Sequence, residues 1–472
     1  MNGLTIERLV VRSGGRVLVD VADLTAAPGQ PLTIVGESGS GKSLLAHAVM
    51  GTIAPELEVT GALTVGSTRF DLADRRARRT AWGRELALLP QEPMLALDPT
   101  MRVRDQVAEG VLDHPPRDRR SAALAETALA RVGLRDAARS FPHTLSGGMA
   151  QRVAYAATTV GGARVLLVDE PSKGLDAAAV DRLADLLADH VDGDAVLLTI
   201  THDLRLARRL GGEVLVMQDA SVVERGPAAT VLQTPQHDYT RRLLAAEPAR
   251  WRFPWMRETA PPADGEPVLS ATALSKSYGD RTLFEDVAIE VRAGERWAIS
   301  GPSGVGKTTL GNVLLRLTRP DRGTVHHGPS LTPGRVQKLY QEPALSFPRR
   351  VALGTAIGDT LRRHDVPAGR FSRLLERVAI PEELLARRPG QVSGGELQRL
   401  AIVRAMVTGP ALLLADEATS RLDLVTQEVT TDCLMTELAE TDCALLLVTH
   451  DEDLIGAVAD HRLGLEELVS RP

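Results

Sequence analysis

Cysteine is nearly missing: the 472 residues contain two, Cys433 and Cys443. That excludes a disulfide framework and a cysteine-only zinc site, and reads as two buried small apolar residues in a reducing compartment. No apolar run approaches the ~18–20 residues needed to cross a bilayer. Met1 to Val11 alternates polar and apolar residues instead of building a signal-peptide core, so any spanning of a membrane falls to another chain. Excess positive charge is lacking too. Lys plus Arg number 55 against 61 Asp plus Glu, a formal charge of −6, which offers no global basic field for nucleic acid. What remains is an ordinary globular composition, 43% hydrophobic and 25% charged, which excludes a disordered or fibrous chain. At roughly 100–200 residues per domain, the length allows two to four domains.

The chain repeats itself. Gly36-Glu37-Ser38-Gly39-Ser40-Gly41-Lys42-Ser43 and Gly301-Pro302-Ser303-Gly304-Val305-Gly306-Lys307-Thr308 both fit G-x-x-x-x-G-K-[ST], and Leu44 and Thr309 follow. Each loop comes after a short apolar run, Leu32 to Val35 and Trp297 to Ile299, the context of strand, loop and helix. Later in each half stand Ser146-Gly147-Gly148 and Ser393-Gly394-Gly395, both continuing to Gln-Arg, and then an apolar strand ending in Asp169-Glu170 or Asp416-Glu417. From the serine to the second acid is 24 residues in both halves; from that acid to a Thr-His it is 32 (His202) and 33 (His450). One phosphate-loop match can arise by chance; four ordered motifs, twice over, do not. The halves run 1–247 and 268–472, and 248–267, with Pro254, Pro261, Pro262 and Gly265, reads as a linker. Its Trp251, Phe253 and Trp255 are expected to pin it to a domain surface. Near-continuous apolar runs such as Ala195 to Ile200 and Ala444 to Val448 alternate with helical stretches such as Ala177 to His190, the pattern of a mostly parallel sheet covered on both faces.

The chemistry follows from residue types. Glycines let successive backbone N–H groups converge on β- and γ-phosphates, and the following helix adds its positive end. Lys42 and Lys307 add a point charge, and Ser43 and Thr308 supply a hydroxyl ligand for Mg²⁺. Asp169 and Asp416, at strand ends, are placed to hold Mg²⁺ through water. Glu170 and Glu417 are the natural acceptors of a proton from an attacking water. The bland readings, a glycine turn with an exposed lysine or a surface pair of acids, do not account for the twin order.

The Ser-Gly-Gly-x-x-Gln-Arg signature between phosphate loop and strand acid, followed by Thr-His, resembles the ATP-binding-cassette ATPases over nearly the whole chain, twice. The resemblance implies an α/β fold of two tandem P-loop nucleotide-binding domains, each with a mostly parallel core sheet, an antiparallel subdomain and a helical insert. It implies a head-to-tail sandwich in which ATP lies between one half's loop and the other half's signature, Lys42 with Ser393, Gly394 and Gly395, and Lys307 with Ser146, Gly147 and Gly148. His202 and His450 match the family's switch histidine, and Gln91 and Gln341 its mobile glutamine that touches Mg²⁺. Asp176 and Asp423 match its cross-dimer loop. Tyr278, 23 residues before Gly301, matches the adenine-stacking aromatic, whereas the first half has Ser13 there, beside Arg12.

Leu89 to Arg102, Leu145 to Val153 and the tail His237-Asp-Tyr-Thr-Arg-Arg-Leu-Leu-Ala245 are similar to the ATPases of di/oligopeptide and nickel importers, here fused in one chain. That resemblance implies an ATP- and Mg²⁺-dependent subunit on the cytoplasmic face of the membrane, working with two transmembrane permease subunits and, through them, an extracytoplasmic solute-binding protein. One fused chain is expected per transporter. Di- or oligopeptide is the expected cargo, with nickel or a metal-chelate the alternative. The second half is expected to lack the His-x-Tyr-Thr tail. Permease contact is expected around Glu92 to Met101 and Glu342 to Arg350, with Leu95 and Phe347 exposed. A ribosome-acting two-cassette translation factor is the rival, but its long charged linker is replaced here by a short Pro-rich one without a basic run.

Overall fold

The computed structural model describes residues 3–191, 195–256, 265–279, 281–367, 369–420 and 422–465. It divides into two compact units, Met1–Leu244 and Ala245–Pro472. In the first the strands are β1 (Leu4–Ser13), β2 (Arg16–Ala26), β3 (Leu32–Gly36), β4 (Glu58–Val65), β5 (Thr68–Asp71), β6 (Leu86–Leu89), β7 (Val165–Asp169), β8 (Val196–Thr201), β9 (Glu213–Gln218) and β10 (Ser221–Pro227). They form an antiparallel sheet β2-β1-β4-β5 and a six-stranded sheet β10-β9-β3-β8-β7-β6, parallel but for its edge strand β10.

The second unit contains β11 (Leu269–Tyr278), β12 (Arg281–Val291), β13 (Arg296–Ser300), β14 (Arg322–His327), β15 (Val336–Leu339), β16 (Leu412–Asp416), β17 (Ala444–Val448) and β18 (His461–Gly464). Here an antiparallel sheet β12-β11-β14 accompanies an all-parallel sheet β15-β16-β17-β13-β18. The helical inserts are Val103–Glu109 with Arg119–Arg131, and Leu353–Arg363 with Arg370–Arg377.

Continuous apolar strands work because successive side chains enter different cores. Val165 and Leu167 join the cluster under the antiparallel sheet, whereas Leu166 and Val168 join the cluster under the helical insert. Leu412 and Leu414 against Leu413 and Ala415 repeat the division. Each fully buried Leu or Val contributes roughly 1.5–3 kcal/mol, so the strands that carry the acids are anchored from both sides.

Trp251 and Trp255 do not lie on a surface: both are buried in the second unit's core, with Leu434 and Val458. Trp255 Nε1 donates to Asp432 Oδ1 at 2.7 Å, and Arg296 donates to the Trp255 carbonyl at 2.9 Å. An aromatic run with a polar handle fills a core when its N–H finds an acceptor. Residues 257–264 of the expected linker and the tail after Leu465 lie outside the described residues. Cys433 and Cys443 are buried free thiols, each pushed up to about 12 by burial.

Candidate active sites

Each phosphate loop leaves the end of a central strand and turns into a helix, Lys42–Met50 or Lys307–Leu314. The helix caps, Gly41 and Gly306, sit at φ 99° and 113°, a region costly for residues bearing a Cβ. At Gly41 a Cβ would also meet the Leu18 carbonyl oxygen at 2.6 Å. Lys42 Nζ donates to the carbonyls of Gly36 (2.8 Å) and Glu37 (2.7 Å), and Lys307 Nζ to those of Gly301 (2.7 Å) and Pro302 (3.0 Å). Both ammonium groups are thus held over their own loops, within reach of a phosphate placed there.

The predicted metal-binding pairs come together. Ser43 Oγ donates to Asp169 Oδ1 at 2.9 Å and Thr308 Oγ1 to Asp416 Oδ1 at 2.8 Å. Among the described residues no group of three His, Cys, Asp or Glu could cage an ion. A hydroxyl, one carboxylate and substrate phosphates are a donor set that fits Mg²⁺, which binds through few protein ligands and keeps its waters. Burial, only partly opposed by the Ser43 hydrogen bond, raises the Asp169 carboxyl, so this acid gains from a cation partner.

One residue on, the chain bends sharply. Glu170 and Glu417 have φ of 46° and 48°, and their N–H groups donate to the Ile200 and Val448 carbonyls at 2.8 and 2.9 Å. That turn ties each glutamate to the neighbouring strand leading to the histidine. His202 Nδ1 lies 2.7 Å from Glu170 Oε2, and His450 Nδ1 3.2 Å from Glu417 Oε1. Burial pushes Glu170 up, but the charge and hydrogen bond of His202 outweigh it and hold the carboxyl below its ordinary value. Burial lowers both histidines; the facing glutamates more than offset this and leave them raised. The first pair therefore favours carboxylate with imidazolium, and in the second the facing glutamate favours the charged imidazole of His450.

The glutamines differ. Gln341 Nε2 donates to Glu417 Oε2 at 2.7 Å. Gln91 is half-buried and has no side-chain hydrogen bond among the described residues; beside it Lys173 lies 3.5 Å from Glu92. Ser146 and Ser393 cap the helices Gly147–Thr159 and Gly394–Met406, accepting from the Met149 and Glu396 N–H groups, so both signatures are helix starts with Gly-Gly in the first turn. In the second, Glu396 folds back to accept from the Ser393 N–H and hydroxyl. Asp176 and Asp423 act as helix-start acceptors, for Ala179 N–H and Thr426 N–H. Ser13 pairs with Arg16 and Tyr278 with Arg281 at the tips of the two β-hairpins, so the positions are equivalent; Tyr278 is 57% exposed.

Two contacts escaped sequence reasoning. Tyr239, in the tail helix Asp238–Ala245, accepts the Glu37 N–H at 2.9 Å and so touches the first phosphate loop. Lys338, in β15, forms a buried ion pair with Asp416. The signal for the second was a lone lysine in a strand where the first half has Leu88.

The expected exposed pair is corrected. Leu95 is 80% exposed, but Phe347 is buried beside Leu353 and Ile357; Leu345, 66% exposed, is the solvent-facing residue. In Pro-Ala-Leu-Ser-Phe the short 3₁₀ turn Pro343–Ser346 places Leu345 outward and sends Phe347 beneath the insert.

The model of the ABC transporter family matches residues 19–173 and again 284–420. Similar relatives include the peptidoglycan transport ATP-binding protein YejF of Agrobacterium fabrum, 31% identical over 94% of this chain and 86% of its own. The glutathione import ATP-binding protein GsiA of Escherichia coli is 32% identical over 93% and 80%. Among solved structures, RNase-L Inhibitor superposes with a TM-score of 0.67 at 21% identity, over 96% of this chain and 87% of that one. An archaeal ribosome recycling factor in complex with a ribosomal stalk protein gives 0.67 and 21%, over 97% and 87%. At that identity the likeness carries the fold alone. The twin motifs, the twin sites and these relatives agree: the chain belongs to the ABC transporter family and is a two-cassette ABC ATPase.

Proposed function

We propose that the chain energises import of a small solute, di- or oligopeptide first, through two separate transmembrane permease subunits at the cytoplasmic face of the membrane. The observation that carries the ATPase half of this reading is the doubled constellation of hydroxyl on aspartate and glutamate on histidine. No helix of the described residues is long and apolar enough to cross a membrane, in keeping with a subunit that works beside others. Relatives named for peptidoglycan transport and glutathione import support a peptide-like cargo.

In this reading Lys42 and Lys307 turn from their loop carbonyls to the β- and γ-phosphates. Ser43 with Asp169, and Thr308 with Asp416, hold Mg²⁺, which supplies charge neutralisation on the phosphate oxygens. Glu170 and Glu417 take the proton of the attacking water, and His202 and His450 keep them oriented and ionised. Gln91 and Gln341 report the state of the site to the adjoining surface. The Ser-Gly-Gly helix starts, Ser146 and Ser393 with their glycines, offer the γ-phosphate a second set of N–H donors when ATP closes the halves. Tyr278 stacks on adenine.

Exposed Met94, Leu95 and Leu345 follow directly on the glutamines, and in the second unit a cavity of about 470 Å³ opens between Gln337, Pro348, Thr360 and His364. Apolar groups left wet at such a place suit a docking permease helix. The test is co-purification with a permease pair and ATP-driven uptake of a labelled tripeptide into proteoliposomes. Recovery of ribosomes in place of permeases would overturn the importer reading.

A further inference from the structure

The two candidate Mg²⁺ sites differ by one buried charge. Lys338 Nζ lies 2.9 Å from Asp416 Oδ2, with the two side chains 8% and 7% exposed. The same ammonium donates to Asn312 Oδ1 at 2.8 Å and sits 5.1 Å from the centre of the Tyr340 ring. Strand register fixes the comparison: Lys338 is opposite Leu414 on β16, and Leu88 is opposite Leu167 on β7, each two residues before the metal-site aspartate. Leu88 is therefore the counterpart of Lys338. Among the described residues Asp169 has Ser43 as its side-chain partner and no ion pair. The position of Asn312, fifth after Lys307, is taken in the first unit by His47, whose ring is hydrogen-bonded to Thr52 and whose charge bears on Asp169 without an ion-pair contact. The fold does not need a cation here, since a leucine serves in the same strand of the other half. A lysine is costly to bury unless it is paired.

We propose that Lys338 lowers the Mg²⁺ affinity of the second site, so that this site binds nucleotide almost independently of the metal while the first requires it. The inference rests on the reading that Asp169 and Asp416 hold Mg²⁺. One Asp416 oxygen is engaged by Lys338 and the other by the Thr308 hydroxyl. An arriving dication must displace a fixed ammonium or sit beside it, where burial leaves little screening between like charges. The ammonium meanwhile brings to the Asp416 carboxylate part of the positive charge that the metal would bring there.

The experiment uses the full chain with Glu170→Gln and Glu417→Gln, so that ATP persists. Lys307→Ala confines binding to the first site and Lys42→Ala to the second. ATP affinity is measured by calorimetry with Mg²⁺ and again with EDTA. Removing the metal is expected to weaken the first site by at least about tenfold, the scale of one strong charge interaction, and to leave the second nearly unchanged. Lys338→Leu should make the second site metal-dependent, and Leu88→Lys should make the first indifferent; should Lys338→Leu fail to fold, the parent comparison and Leu88→Lys decide. Equal metal dependence at both parent sites would overturn the proposal while leaving the metal reading intact. Indifference at both would overturn the metal reading and the proposal with it.

Discussion

The side-chain amide of Gln341 donates to Glu417 Oε2 at 2.7 Å, while His450 holds the other oxygen of the same carboxylate at 3.2 Å. Gln91 makes no such bond to Glu170. The second cassette thus begins with its glutamine already joined to the catalytic candidate, and the first does not. Gln341→Ala is expected to loosen the Glu417 side chain and lower turnover at that site, whereas Gln91→Ala should alter coupling to a permease more than the basal rate. Single-turnover ATPase assays with one phosphate-loop lysine disabled read the difference, and equal losses in both variants would remove its basis.

Replacing both strand-end acids, Glu170→Gln with Glu417→Gln, should reduce steady-state hydrolysis by at least about a hundredfold, the scale of a lost general base, and leave ATP binding in place. Phosphate release and nucleotide retention measure the two effects. Hydrolysis within a factor of about two of the parent would show that another group takes the proton.

Tyr278→Ala should weaken nucleotide binding at the second site by about tenfold, as expected if stacking contributes ~1.4 kcal/mol. Ser13→Tyr, at the matching hairpin tip, should tighten the first. Affinities unchanged in both variants would move adenine recognition away from these tips.

Leu95→Asp and Leu345→Asp alter residues 80% and 66% exposed and are expected to leave stability within about 0.5 kcal/mol. Loss of permease association with ATPase activity retained is the predicted result. Normal association by both variants would place the docking surface elsewhere.

Trp255→Ala removes a core side chain and strands Asp432, with an expected cost of ~3–5 kcal/mol to the second unit. Chemical denaturation followed separately for the two units should show the loss in the second alone.

The doubled motifs were legible because phosphate chemistry restricts residue type at fixed spacing: Gly41, Lys42, Ser43, Asp169, Glu170 and His202 converge as their order implied. The sheet was legible for the same kind of reason, since Val165 to Val168 must be apolar on both faces. What stayed hidden depends on direction, which composition does not encode. Leu345 and Phe347 are two apart in an apolar run, and only the 3₁₀ turn decides which of them meets water. Trp251 and Trp255 read as surface anchors because prolines surround them, yet an acceptor on Asp432 turns one inward. Lys338 stood in plain view as a charge in a strand, but its partner depends on a register between two strands distant in sequence.

The left-handed turn at Glu170 and Glu417 has a consequence for tolerance to mutation. A non-glycine residue held there costs on the order of 1–3 kcal/mol, and glycine would relieve most of it. Glu170→Gly and Glu417→Gly would relieve that strain but strand the mostly buried histidine each acid faces, so the variants are expected to lose the proton acceptor without gaining stability. The turn and the ion pair thus oppose each other at the same residue in both halves: the backbone would favour glycine there, while the histidine at the end of the next strand requires the carboxylate.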